Sequence, residues 1–270
     1  MPEGDRHARY APGRFLTVVP VCFSIGILLF GGLMAVDMPT DNADRSTGNT
    51  HPLAGKFIVF DGVDGCGKST QLTEFENDLN AYGVKFKRFR EPGGTLIGED
   101  IRNILLTKRG EGMHIRAEML LYMASRAQLV YQEIRPALAS GITVLADRYT
   151  SSTLAYQGAG GGIADDEIMA VAAAATGNLW PDLTIILDLP ITDARRRTTK
   201  KGDIHQAGLF EDRIEQRAAQ FHPRVRDGFI HQCSQFPDRY RLVSAVGSQQ
   251  TVHKRIITAI EKFFAVRKAR

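Results

Sequence analysis

Eight residues constrain this chain more than any others. Gly62-Val63-Asp64-Gly65-Cys66-Gly67-Lys68-Ser69 matches G-x-x-x-x-G-K-[ST] at every fixed position. The apolar run before it, residues 56–61 (KFIVFD), predicts a short buried strand, and a helical pattern runs from Thr70 to about Tyr82. A strand that turns through glycines into a helix aims consecutive backbone N–H groups inward at the positive end of the helix dipole, where they hold phosphate oxygens. Gly62, Val63, Asp64, Gly65, Cys66, Gly67, Lys68, Ser69 and Thr70 are therefore the candidate cradle for a nucleoside triphosphate. Lys68 is expected at the β- and γ-phosphates and the Ser69 hydroxyl on Mg²⁺. Cys66 is a small residue filling the loop rather than a reactive thiol. The motif leaves the phosphoryl acceptor open.

The remainder of the chain alternates in the way such a loop requires. Further strands are expected at 84–89, 142–147, 183–188 and 240–243, each short, apolar and rich in β-branched or aromatic residues. Helical patterns lie at about 98–107, 114–139, 165–176, 192–200, 212–233 and 250–267. This alternation predicts an α/β fold of the P-loop NTPase type, a three-layer sandwich with a five-stranded parallel sheet covered by helices on both faces. Ligands of such sheets sit at the C-terminal strand ends. Asp64, Glu91, Asp147 and Arg148 fall there. With 43% hydrophobic and 24% charged residues, composition excludes disorder and collagen. Cys22, Cys66 and Cys233 show no paired spacing, and the seven histidines no metal-ligand spacing. The net charge is only +4, with no dense basic stripe before the C-terminal third, so no nucleic-acid partner is expected.

Two segments narrow the acceptor. REPGGT, with GEDIR close behind, follows the second expected strand, and DRYTSSTLAYQG follows the third. With FDGVDGCGKST, LLYMASRAQ and FEDRIEQR in the same order, the chain resembles a thymidylate kinase over roughly residues 55–267. The P-loop is widely shared; REPGGT together with DRY…AYQG is far more specific. The resemblance implies transfer of the γ-phosphoryl group of ATP to dTMP, with Mg²⁺ as cofactor, in a cytoplasmic homodimer. It places Asp147 on Mg²⁺ through water, Asp64 at the acceptor sugar 3′-hydroxyl, and Glu91 as an acidic neighbour of the acceptor. Arg148 and Arg102 suit the acceptor phosphate as guanidinium forks, although Asp147–Arg148 also fits a local ion pair at a strand end. Tyr122 and Arg126 are four apart and share a helical face. The resemblance stacks Tyr122 on thymine and sets Arg126 at O4, where the pattern alone equally allows a core aromatic. It gives Thr153 and Gln157 the remaining polar edge, and Tyr156 the 2′ position. Gly65, where some relatives carry arginine, looks like the bacterial subtype, whose catalytic cations come from a mobile lid. The lid is expected at about 193–216, with Arg195, Arg196, Arg197, Lys200, Lys201 and Arg213; Arg213 is its best catalytic candidate, and a solvated basic helix is the alternative. Three positions depart from the family pattern: the long segment 198–210, Gly161 and Ser151. A regulatory GTPase would need an Asn-Lys-x-Asp run, and none occurs.

Residues 1–54 stand apart as an N-terminal extension before the kinase-like domain, 55–270. Residues 15–36 (FLTVVPVCFSIGILLFGGLMAV) carry no charge and are long enough to span a bilayer. Arg6, Arg9 and Arg14 precede them, so insertion would export the domain away from ATP and dTMP. A signal peptide is disfavoured by Leu33 and Ala35 at the cleavage position. An over-extended start is the expectation, with native chains beginning near Met34 or Met38 and no membrane partner; an anchor through 15–36 is the alternative.

Overall fold

The computed structural model describes residues 51–107, 112–200 and 220–268. Its strands β1 (Phe57–Asp61), β2 (Phe86–Arg90), β3 (Thr143–Asp147), β4 (Leu183–Asp188) and β5 (Tyr240–Ser244) form one sheet in the order β2-β3-β1-β4-β5. Every pairing is parallel. The helices are α1 (Lys68–Ala81), α2 (Leu96–Leu106), α3 (Ile115–Leu129), α4 (Arg135–Ala139), α5 (Thr150–Thr153), α6 (Asp165–Thr176), α7 (Ile191–Lys200), α8 (Phe221–Gln235) and α9 (Gln249–Lys268). The expected α/β sandwich with a five-stranded parallel sheet is present.

β1 lies at the centre, and each of its five residues is buried. Alternation sends them to opposite faces. Phe57 and Val59 join Val144, Ala146, Leu129, Ile134 and Leu138 in one cluster. Ile58 and Phe60 join Leu145, Ile185, Leu72 and Phe75 of α1, and Ile256 of α9 in another. Burial of side chains this size is worth about 1.5–3 kcal/mol each, so β1 and the loop it carries are fixed from both sides. β2, an edge strand, reads FKRFR. Its charges discourage edge pairing and reach Glu133 from Lys87 at 3.3 Å and Glu76 from Arg88 at 3.4 Å.

Three elements differ from the sequence expectation. The second strand begins at Phe86, not residue 84. Gly83 (φ 66) and Val84 close α1 instead, donating to Asn80 O and Leu79 O, and Val84 packs as the apolar residue that ends such a helix. The expected helix 114–139 is α3 and α4 joined by π-helical Val130–Ile134. Pro136 has no N–H for the Gln132 carbonyl, and the ladder ahead of it widens, with Arg135 N donating to Val130 O. Residues 150–160, to which the sequence pattern assigns no element, are helical, α5 running on through π-helical Leu154–Gly160. Their small residues serve close packing: a Cβ on Gly160 would lie 2.6 Å from the Phe221 ring, and one on Gly228 2.5 Å from Ala159 Cβ.

The apolar run 15–36, residues 201–216 of the expected lid with Lys201 and Arg213, and the first part of the helix expected at 212–233 lie outside the described residues. Among the described residues no helix is long and apolar enough to cross a membrane.

Candidate active site

The glycine loop leaves β1 between β3 and β4. Gly62 (φ 137), Gly65 (φ 77) and Gly67 (φ 101) occupy backbone conformations that other residues rarely adopt. A Cβ at Gly62 would also stand 2.5 Å from the Leu187 carbonyl oxygen. Lys68 Nζ donates to the Gly62 and Val63 carbonyls at 3.0 and 3.1 Å, which holds the ammonium inside the loop. Cys66 is buried, and burial pushes its thiol upward, as suits a filler. The β1–β3 register sets Phe60 beside Asp147, so the β3 carboxylate meets the start of α1: Ser69 Oγ donates to Asp147 Oδ2 at 3.1 Å. A hydroxyl and a carboxylate are hard oxygen donors of the kind Mg²⁺ takes, with phosphate and water completing its shell. From α7, Arg197 donates to Ala245 O at 3.1 Å and Cys66 O at 3.5 Å, which ties the start of the segment expected as a lid to the loop.

Arg148, one residue past β3, has φ 77, a strained conformation for a side chain of its size. Nη1 donates to Ser152 Oγ at 2.9 Å, Asp61 Oδ1 at 3.2 Å and Gly62 O at 3.3 Å. Nη2 donates to Asp64 Oδ1. Tyr156 OH donates to Asp64 Oδ2 at 2.9 Å, and the guanidinium lies 5.3 Å from the Tyr156 ring centre. Partial desolvation in the cleft works to raise the Asp64 pKa although its side chain is largely exposed, but Arg148, Lys68 and the two hydrogen bonds outweigh it and hold the carboxyl at about 2. Burial likewise opposes the Arg148 charge, and Tyr156, Asp64, Asp61 and Asp147 overcome it, keeping the guanidinium protonated. Asp61 is fully buried beneath this group and accepts from Gly62 N at 2.8 Å, Ser152 Oγ at 2.8 Å and Ser151 Oγ at 2.6 Å.

A second group lies between α3 and the α5 segment. Glu118, Tyr122 and Arg126 recur every four residues along α3. Arg126 is 1% exposed; Nε donates to Glu91 Oε2 at 2.7 Å, and Nη1 reaches Thr153 Oγ1 and Met123 Sδ, both at 3.1 Å. Gln157 Nε2 donates to Glu118 Oε1 at 2.8 Å. Tyr122 is partly exposed and belongs to none of the apolar clusters among the described residues. Burial raises the Glu91 carboxyl above its ordinary range although Arg126 opposes it, and Glu91 Oε1 is a buried acceptor without a partner. Arg102 donates to Pro92 O at 2.8 Å; burial and the repulsion of Arg90 lower its pKa to about 10, so it stays charged at neutral pH.

The fold thus gathers Lys68, Ser69, Asp147, Asp64, Arg148 and Tyr156 around the loop, and Glu91, Arg126, Thr153 and Gln157 beside them. Glu91 faces Arg126 rather than the loop. Sequence reasoning missed Asp61 and Glu118. Asp61 had a signal as a charge ending an apolar strand, and Glu118 as the residue one turn before Tyr122 on the same stripe.

A family model described as Thymidylate kinase matches residues 60–256. Similar curated proteins include the thymidylate kinases of Bdellovibrio bacteriovorus, 40% identical over 205 residues (76% of this chain, 95% of that protein), and Pelotomaculum thermopropionicum, 41% identical over 210 residues (78% and 94%). That of Caldanaerobacter subterraneus is 39% identical over 212 residues (78% and 97%).

Proposed function

The chain belongs to the thymidylate kinase family, and on that premise we propose that it transfers the γ-phosphoryl group of ATP to dTMP, giving ADP and dTDP. The observation that carries this is Arg148, which ties the P-loop residues Gly62 and Asp64 to the α5 segment that faces Arg126. Phosphoryl transfer brings two polyanions together, so catalysis is positioning and charge neutralisation. The loop amides and Lys68 hold the β- and γ-phosphates, Lys68 exchanging its carbonyl acceptors for phosphate oxygens. Arg148 and Arg102 take the acceptor phosphate. Asp64 accepts from the sugar 3′-hydroxyl, and Tyr156 crowds the 2′ position and favours deoxyribose. Ser69 and Asp147 would hold Mg²⁺, which supplies positive charge to the phosphates when bound. Tyr122 stacks on thymine, Arg126 donates to O4, and Thr153 and Gln157 meet the remaining polar edge. Arg213 of the lid segment is assigned to the transferring phosphoryl group.

A homodimer in the cytoplasm is part of the proposal. It is supported by apolar side chains left exposed on adjoining helices, Leu96 (88%) and Ile97 on α2, Leu120 on α3 and Tyr131 just beyond it. Sedimentation equilibrium reads the dimer, and Leu96→Glu should shift it to monomer. Purified protein offered dTMP, dUMP, dCMP, dGMP and UMP tests the activity. Highest kcat/KM on dTMP is expected, and preference for any other acceptor refutes the assignment.

A further inference from the structure

We propose that Glu118 is a specificity-positioning residue: it fixes the Gln157 side-chain amide so that only its carbonyl oxygen faces the acceptor base. This rests on the pyrimidine reading of the pocket and deepens it. A carboxylate accepts and cannot donate. The 2.8 Å contact with Glu118 Oε1 therefore calls for the amide nitrogen of Gln157, and turns Oε1 to the other side. Glu118 is 1% and Gln157 3% exposed, so water does not compete for this contact. Among the described residues the Gln157 side chain makes its hydrogen bond through Nε2, to Glu118.

Two ties join the stripe on α3 to the segment after β3. Arg126 meets Thr153 at 3.1 Å, and Glu118 meets Gln157 at 2.8 Å. The α3 residues are eight apart with Tyr122 midway between them. Their partners Thr153 and Gln157 are only four apart, about 6 Å at 1.5 Å per residue, so the two ties converge on a span that one base edge can bridge. At one end Arg126 offers only donors, held there by Glu91 at 2.7 Å. At the other end Gln157 offers an acceptor. A base edge that pairs with both presents a carbonyl oxygen and then an N–H, as the O4/N3–H edge of a 4-keto pyrimidine does. The 4-amino edge of cytosine carries a donor and then an acceptor, and meets Arg126 and Gln157 with both polarities reversed. With a free amide, Gln157 would turn over and accommodate half of that edge. The Glu118 carboxylate forbids the turn.

The test is Glu118→Gln, which keeps size and can either donate or accept. The readout is the ratio of kcat/KM for dTMP to kcat/KM for dCMP, measured with KM for ATP and the melting temperature. A fall in the ratio of about tenfold or more, the scale on which a mispaired buried polar group discriminates, is expected at unchanged KM for ATP. Built on Gln157→Met, the same substitution should leave the ratio unmoved. Equal losses on both acceptors, or an unchanged ratio, overturn the role of Glu118. Should Glu118→Gln fail to melt cooperatively, Glu118→Asp withdraws the carboxylate by one methylene and is judged by the same ratio. A wild-type enzyme without preference for dTMP over dCMP refutes the pyrimidine reading itself, which separates the two failures.

Discussion

Asp61→Asn is the most informative single change. Asp61 is buried without trace of exposure, and it accepts from Gly62 N, Ser151 Oγ, Ser152 Oγ and Arg148 Nη1 at 2.6–3.2 Å. Asparagine keeps the volume and one acceptor oxygen, but turns an N–H pair toward groups that are themselves donors. With that N–H pair at the Oδ2 position, the hydrogen bond from Ser151 to a charged acceptor is lost, worth about 1.5–3 kcal/mol, and the three at Oδ1 keep an oxygen but lose its charge. Removing one partner of a buried pair costs about 3–5 kcal/mol; the Arg148 side chain is 17% exposed, so the lower end applies. The expected loss is about 3 kcal/mol. For a folded unit of this size that is a fall in melting temperature of about 6–12 °C. The kinetic consequence follows from φ 77 at Arg148: without the Asp61 charge only the exposed Asp64 carboxylate and two neutral acceptors offset that strain, and the guanidinium shifts from its position. A displacement near 1 Å lowers kcat/KM for dTMP about 100-fold, while KM for ATP changes less because Lys68 and the loop amides beyond Gly62 make no bond to Asp61. Calorimetry and steady-state kinetics with each substrate varied read both effects. A melting temperature within about 2 °C of wild type together with unchanged kcat/KM for dTMP would refute the claim that Asp61 holds Arg148.

Other outcomes are expected. The Asp64 carboxyl is held at about 2 in the folded protein against an ordinary 3.8, so its contribution is complete above about pH 4 and is lost as pH falls through 2. Urea midpoints from pH 6 to 2 should therefore drop more steeply for wild type than for Asp64→Asn; the difference is small because this side chain is 58% exposed, and parallel curves would count against the Arg148 pairing. Gly65→Ala forces a Cβ to 2.5 Å from Ala194 O at φ 77. It should cost about 1–3 kcal/mol and lower kcat by displacing α7; wild-type melting and kcat would contradict that close approach. Burial raises the Cys66 thiol and pushes Cys233 up to about 12. Native protein at pH 8 should take up iodoacetamide at neither position by mass spectrometry, and rapid labelling of Cys66 would disprove its role as filler.

The glycine loop and the sheet were legible because each is local: a strand five residues long, buried on both faces, cannot hide its apolar run, and the lysine and serine after it stand at fixed spacing. The α5 segment was not legible. Its glycines look like turn residues, and only the approach of α6 at Gly158 and of α8 at Gly160 explains them as contact points. Val84 was misassigned for a related reason, since the same residue satisfies a strand or a helix end and Gly83 decides. Candidate site residues with opposite charges at separate strand ends were visible one by one. Their partners were not, because Asp61 reaches Ser151 and Ser152 across 90 and 91 residues, and Glu118 reaches Gln157 across 39.

Arg148 has one further consequence for how the acceptor enters. Its N–H groups are engaged by Asp61, Asp64, Ser152 and the Gly62 carbonyl. If Arg148 takes the acceptor phosphate as proposed, an arriving phosphate does not fill an empty socket; it exchanges with acceptors already there, Asp64 foremost. The enthalpy of binding is then a difference between two sets of charge-assisted hydrogen bonds, and Arg148 works as a filter on ligand charge. A dianion outcompetes a carboxylate for the fork, whereas a monoanion is close to an even trade. Because the second ionisation of a phosphate monoester lies near 6, affinity for the acceptor should climb as pH passes that value, a dependence set by the ligand rather than by any group of the protein.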